Sequence, residues 1–357
     1  MTDGLPVSPP ESQGMSAGRL AHAAALLASE VHAGRVSAAS IRVSRHGRTV
    51  LHAGYGAAPD AVYILASISK AVNAVAVMLL VERGEVSLDD PVSRYLPEFA
   101  GADRAPVRVR DLLAHSSGLP DMLPQNLALR RAHAPLDAFV QAACTTPLLF
   151  APRSGFSYQS MGTLLAGEIV QRVASQALRE FHKQQIFDVL GMVDSSLGLG
   201  GRQVADTVAC QTEDTPDMAH FGPNSRYWRD MGHPWGGMHS TVTDLTLLLQ
   251  AFLNGGQHGG RQLLGRATVA RMLSDQNQAI GKPWGLGWGF ATSPVWVYCG
   301  ELVSPRTFGH SGATGTVAWA DPDSQVLAVI LTTRSTALDD GRLLRTVSNA
   351  VAAAVVQ

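Results

Sequence analysis

The residues that could do chemistry begin with Ser67 and Lys70, in the stretch Ile64-Leu65-Ala66-Ser67-Ile68-Ser69-Lys70. A serine and a lysine three positions apart share one face of a helix. Residues 71–81, which follow, are apolar apart from Asn73. The first turn of a helix has backbone N–H groups with no partner inside the helix. A serine placed there can attack a carbonyl while its own N–H helps hold the oxyanion. A buried ammonium is costly. An apolar helix around the lysine therefore lowers its proton affinity until it can take the serine proton. Lysine occurs only at 70, 183 and 282, so its place here is informative. Ser-x-x-Lys alone is nevertheless short enough to arise by chance.

Two later stretches extend the pattern. Phe156-Ser157-Tyr158-Gln159-Ser160-Met161-Gly162 stands at the head of a helical run, and Phe308-Gly309-His310-Ser311-Gly312-Ala313-Thr314-Gly315 precedes a strand. In this order, Ser-x-x-Lys, then Tyr-x-Ser, then His-x-Gly, the chain resembles the serine β-lactamase and penicillin-binding-protein superfamily. Within it, the chain looks closest to class C β-lactamases, family VIII carboxylesterases and D-stereospecific peptidases. The stretches at 112–120, 236–256 and 284–290 carry the same resemblance, which covers nearly the whole chain.

The resemblance implies roles position by position. Ser67 would be the nucleophile. Lys70 would be its base, or would hold Tyr158 as tyrosinate. Tyr158 would pass a proton to the leaving group and later activate water. The N–H groups of Ser67 and Ala313 would form the oxyanion hole, with Ser160, His310, Ser311 and Gly312 facing the substrate. Two positions depart from the pattern: Ser160 stands where asparagine is usual, and His310 where lysine is usual. A hydroxyl lacks an amide's separate donor and acceptor. Histidine is mostly neutral at pH 7 and gives no fixed cation for a carboxylate. Both departures favour neutral short-chain esters over β-lactams. A β-lactamase or D-peptidase remains the rival within the enzymes, and a non-catalytic binding or sensing protein the rival outside them.

Gly309-His310-Ser311-Gly312-Ala313 also hints at a Gly-x-Ser-x-Gly elbow. Such an enzyme needs its histidine after the serine, and none follows His310. His115 is expected to brace a loop and Glu168 to serve structure. Trp284 and Trp288 are aromatic candidates for core or for an acyl pocket. His220, His233 and His239 show no metal-ligand pattern, and neither metal nor cofactor is expected.

The elements that must position these groups form two sets. A capped helix after Ser16, strands at 38–44 and 49–55 joined by His46-Gly47, strands at 316–319 and 325–333, and a last helix over 338–355 predict an antiparallel sheet built from both termini. Helices at 67–83, 109–114, 136–143, 160–174, 176–190 and 241–253 predict a mostly helical insertion. The expected fold is α+β, with 1–66 and 254–357 as the sheet domain, 67–253 as the inserted domain, and the site in the cleft between them. At 357 residues with 46 % hydrophobic and 16 % charged content, the chain has the composition of a globular protein. Its formal net charge of −1 and lack of a basic stripe make nucleic acid and anionic membranes poor partners. Residues 71–81 are too few to span a bilayer. The first residues have no signal-peptide pattern, and the three cysteines form neither zinc spacing nor a disulfide framework, so a cytoplasmic location is expected. The expected partner is a small ester; no sequence feature specifies an oligomeric state.

Overall fold

The structure, a computed structural model, describes residues 4–211 and 216–357. Its elements include α1 (Ala17–His32), β1 (Ala39–Arg45), β2 (Arg48–Tyr55), α2 (Ser69–Glu82), α3 (Ser160–Ala174), α4 (Val242–Leu253), β3 (Gly289–Phe290), β4 (Phe308–Gly312), β5 (Thr316–Asp321), β6 (Val326–Thr332) and α5 (Arg342–Ala352). Six strands make one antiparallel sheet in the order β2-β1-β6-β5-β4-β3, so strands from both ends of the chain meet at its centre. β1 pairs with β6 from Ala39↔Thr332 to Arg45↔Val326. His46 and Gly47 both take positive φ, the backbone that a tight turn between right-twisted strands requires.

Strand alternation sorts the sheet into two cores. Val317, Trp319, Val326, Ala328 and Ile330 pack with residues of α1 and α5. The intervening Ala318, Ala320, Leu327, Val329 and Leu331 face the other way, into the core shared with α2, α3 and α4. Successive side chains of a strand point to opposite faces, so a central strand covered on both sides reads as one apolar run. α4 packs directly on β1, β5 and β6, so the segment read as helical ends on a helix that covers the sheet.

α2 is buried all round from Ser69 to Leu80, as a helix without a polar face must be. Two elements differ from the expected ones. The run 176–190 is not one helix: Leu178–His182 passes through a π-helical turn at Lys183–Phe187 before Asp188–Leu190. The last helix starts at Arg342 rather than near 338, because Asp340 and Gly341 both take positive φ. Gly341 lies so close to the ring of Tyr298 that a Cβ there would collide with it. No helix among the described residues is long and apolar enough to cross a membrane.

Candidate active site

Ser67 stands in a single 3-10 turn, Ala66–Ile68, that leads into α2. Ala66 has φ +48, a left-handed conformation that costs a non-glycine residue about 1–2 kcal/mol. Surrounding bonds hold the turn in place. Leu65 N–H donates to Met238 O at 2.9 Å. Thr314 Oγ1 donates to Ile64 O at 3.0 Å, and Thr316 Oγ1 to Leu65 O at 2.9 Å. Ser69 Oγ donates to Ala66 O at 2.7 Å and accepts from Met238 N–H at 3.1 Å. On the strand side, a Cβ at Gly312 would collide with Leu65 O and Thr316 Oγ1. Glycine is thus what lets β4 press against the nucleophile turn.

Lys70 lies one helical turn on, 3 % exposed. Its Nζ is 2.8 Å from Ser67 Oγ and 3.2 Å from Trp235 O. Burial pulls its pKa down to about 7, against a smaller upward effect of the Asp121 charge. Near neutrality a large share of the amine is unprotonated. It can donate to Trp235 O and still present a lone pair to the serine hydroxyl. Nζ also lies 4.6 Å from the centre of the Tyr158 ring.

Tyr158 is set by its neighbour in sequence. Gln159 is fully buried, and its N–H donates to His115 Nδ1 at 3.1 Å. Its side-chain amide donates to Asp111 O at 2.9 Å and accepts from Ser117 Oγ at 2.7 Å. Ser157 N–H donates to His115 O at 3.0 Å. The Tyr158 ring packs against His115, Trp284 and His310, with centroids 4.6, 6.0 and 6.1 Å away. Burial pushes its hydroxyl far above the ordinary tyrosine value, opposed by a smaller contribution from the Ser67 hydroxyl. Burial thus favours the neutral phenol form.

β4 supplies the opposite margin. β3 pairs only with Phe308 and Gly309, so it leaves the outer edge of β4 uncovered from His310 onward. The Ala313 peptide, just past the strand, is fixed through its carbonyl, which accepts from Thr336 N–H at 3.0 Å. Ser67, Tyr158, His310, Ser311, Gly312 and Ala313 line one cavity of about 190 Å³. Lys70 sits behind Ser67. A larger hollow of about 430 Å³, beside Trp319, Asp321 and Ser324, is lined by none of the expected site residues.

Besides Lys70, Ser160 is the expected site residue that does not line this cavity. Its hydroxyl donates to the Asp121 carboxylate at 2.6 Å and its N–H to Asp121 O at 3.2 Å. The two tryptophans divide. Trp284 lines the cavity, whereas Trp288 packs in the core against Phe252 and Phe308. Glu168 pairs with Arg172. Among the described residues no cluster of three or more His, Cys, Asp or Glu could hold a metal ion.

Several residues of the site escape the sequence reading. Asp121 follows the quoted 112–120 stretch by one position, and Gln159 lies between two motif residues. The rest of the wall comes from loop residues Val295, Trp296 and Tyr298 and from Thr336, at the start of a 3-10 turn. Adjacency to the motifs could have flagged Asp121 and Gln159; the loop residues carry no periodic signal.

A serine with a lysine amine 2.8 Å from its hydroxyl, a tyrosine ring beside that amine, and residues of two chain segments lining one small cavity are the arrangement expected of the serine β-lactamase fold. The sequence model of the Beta-lactamase family matches residues 23–353, and the chain belongs to that family. A provisionally named D-alanyl-D-alanine carboxypeptidase of Salmonella gallinarum is 29 % identical over 323 residues, 81 % of this chain and 73 % of that protein. A penicillin-binding-protein homologue from Caulobacter crescentus superposes with a TM-score of 0.76 at 25 % identity, over 95 % of this chain and 99 % of that one. A family VIII carboxylesterase superposes with a TM-score of 0.74 at 20 % identity, over the same shares of the two chains. The protein is a hydrolase of the serine β-lactamase fold.

Proposed function

We propose that this chain hydrolyses short-chain carboxylic esters through an acyl-Ser67 intermediate. The observation that carries the mechanism is the 2.8 Å contact between Lys70 Nζ and Ser67 Oγ, made by an amine whose pKa burial lowers to about 7. Lys70 takes the Ser67 proton as Oγ attacks the ester carbonyl. The N–H groups of Ser67 and Ala313 hold the developing oxyanion. Expulsion of the alkoxide returns the proton through Lys70 or the Tyr158 hydroxyl. Water then enters, loses a proton to the same groups and releases the acid. The high pKa of Tyr158 favours Lys70 as the acylation base and leaves Tyr158 to donate.

The substrate class is supported by what the cleft offers. A cavity of about 190 Å³ is smaller than the range usual for drug-sized ligands, roughly 300–1,000 Å³, and suits a short acyl group. His310 stands where a cation would meet a carboxylate, and burial pushes its pKa down to about 3, so it is neutral. Ser160 spends its hydroxyl on Asp121. The name of the Salmonella relative supports a second reading, a D-stereospecific peptidase on the same machinery. The gathered Ser67, Lys70 and Tyr158 speak against a merely binding protein.

A panel of p-nitrophenyl esters, a chromogenic cephalosporin and a D-alanyl amide separates these readings. We expect kcat/KM for the short ester to exceed that for the cephalosporin by at least about a hundredfold, the scale of one lost charge-assisted contact. Equal turnover of ester and cephalosporin would overturn the ester reading in favour of a β-lactamase. Faster turnover of the D-alanyl amide would favour the peptidase.

A further inference from the structure

His310 lines the Ser67 cavity and is 1 % exposed. Its Nδ1 lies 2.8 Å from the carbonyl oxygen of Ser311. A carbonyl can only accept, so Nδ1 carries the proton. The ring is neutral, its pKa depressed by burial first and by nearby Lys70 second. Nε2 is therefore a bare lone pair. It is buried and has no hydrogen-bond partner among the described residues. The indole N–H groups of Trp284 and Trp296, whose side chains line the same cavity, have none either. A buried acceptor left unmet costs about 1–3 kcal/mol, and native proteins keep few of them. A small cavity lined by residues that hold one such acceptor and two such donors is polar: whatever fills it, water or substrate, must supply the complement.

We propose that His310 is a specificity-determining residue whose Nε2 accepts a hydrogen bond from a neutral donor on the substrate. Short esters bearing a hydroxyl or carboxamide are then preferred over plain alkyl esters and over esters bearing a carboxylate. A hydroxyl or carboxamide brings both a donor for His310 and an acceptor for an indole N–H. A carboxylate brings acceptors only and would set its charge against the lone pair. A site built to bind a polar group discriminates strongly against the analogue that lacks it, because its own groups then stay unpaired. The inference rests on the ester-hydrolase reading above.

The test compares methyl butyrate, methyl 3-hydroxybutyrate and monomethyl succinate by titrating released acid. The hydroxy ester is expected to lead methyl butyrate in kcat/KM by at least about tenfold, the usual reach of one well-placed hydrogen bond. Monomethyl succinate should trail both. In His310→Leu the ratio of the first two should collapse toward one. A ratio near one in the unaltered protein, or one that survives His310→Leu, overturns the inference and leaves the esterase reading standing. If no ester is turned over, the esterase reading fails, and nitrogen NMR of labelled histidine in Ser67→Ala protein decides the inference separately. His310 should show a protonated Nδ1 and a bare Nε2 whose signal moves with methyl 3-hydroxybutyrate and not with methyl butyrate. A proton on Nε2, or equal response to the two esters, overturns it.

Discussion

On the helical side of the cleft, Lys70 Nζ meets both Ser67 Oγ and Trp235 O, and Ser69 Oγ both donates and accepts. On the side built from residues 284–313, His310 Nε2 and the indole N–H groups of Trp284 and Trp296 meet nothing among the described residues. In the proposed mechanism the first side does the bond-breaking. Its groups must be held near reacting geometry before substrate arrives, since a displacement of about 1 Å can cost a hundredfold in rate. The second side meets substrate, which brings its own polar atoms. One wall is completed by the fold, the other by the ligand.

That contrast is sharpest at the nucleophile. Ser67→Ala should lower ester hydrolysis by ~10⁴-fold or more, the scale seen when a serine nucleophile is removed. Mass spectrometry after a fluorophosphonate should place the adduct on Ser67 of the unaltered protein; an adduct on Ser69 or Ser311 would refute the assignment. Lys70→Met comes next, with an expected loss of at least about a hundredfold in kcat, the usual worth of a positioned base. Its pH signature is as telling. In the proposed mechanism Lys70 acts unprotonated, and burial lowers its pKa to about 7, so kcat/KM should fall tenfold per pH unit below that point. The same depressed pKa means that the unfolded chain binds a proton the folded one does not, between about 7 and the ordinary lysine value near 10.4. Stability contributed at this site therefore rises with pH across that window, and Lys70→Met should melt higher than the unaltered protein, most clearly in acid. A flat pH–rate profile together with an unchanged melt would show that Lys70 merely supports the helix start.

The helical side was also the more legible of the two in the sequence. Eleven residues with one polar interruption read as a buried helix, and the lysine at its mouth took its meaning from the motifs that follow in order. The ordered motifs then brought Tyr158 and His310 to the same place. The sheet followed from β-rich runs and from the His46-Gly47 turn, because those patterns are local. The wall at Val295, Trp296 and Tyr298 is not local. Its backbone follows contacts such as Gly341 against the Tyr298 ring and Ser348 Oγ donating to Tyr298 O at 3.3 Å. Ser160 shows the same limit. Its position matches a motif, yet its hydroxyl turns to Asp121, which only the folded loop brings within reach.

A test of intermediate size lies where the two sides touch. Gly312→Ala would drive a Cβ into Leu65 O, a carbonyl already held by Thr316 Oγ1. Overpacking of this kind costs typically about 1–3 kcal/mol and should lower the melting temperature by roughly 2–8 °C. Activity should fall with it, because the displaced segment carries Ser67. Gly18→Ala, on the exposed face of α1 with no side-chain neighbour nearer than 3.9 Å, should leave the melt unchanged or raise it slightly. Equal effects of the two substitutions in differential scanning fluorimetry would show that β4 does not press on the nucleophile turn.

The smallest expected effect lies within the helical side, at Asp121. Its carboxylate accepts from Ser160 Oγ, and its charge raises the Lys70 pKa against the larger lowering by burial. Asp121→Asn keeps the shape and the acceptor while removing the charge. The Lys70 pKa should then move down, so more of the lysine is unprotonated in mild acid. Asp121 is exposed, and solvent screens it. Exposed charge pairs are worth about 0.2–1 kcal/mol, so kcat/KM on the acid limb should rise by no more than about fivefold, with little change above pH 8. Added salt should mimic the substitution in the unaltered protein and have less effect in the variant. A fall in activity on the acid limb would mean that Asp121 works through the placement of Ser160, not through its charge. Measuring kcat/KM from pH 5 to 9 at low and high salt separates the two.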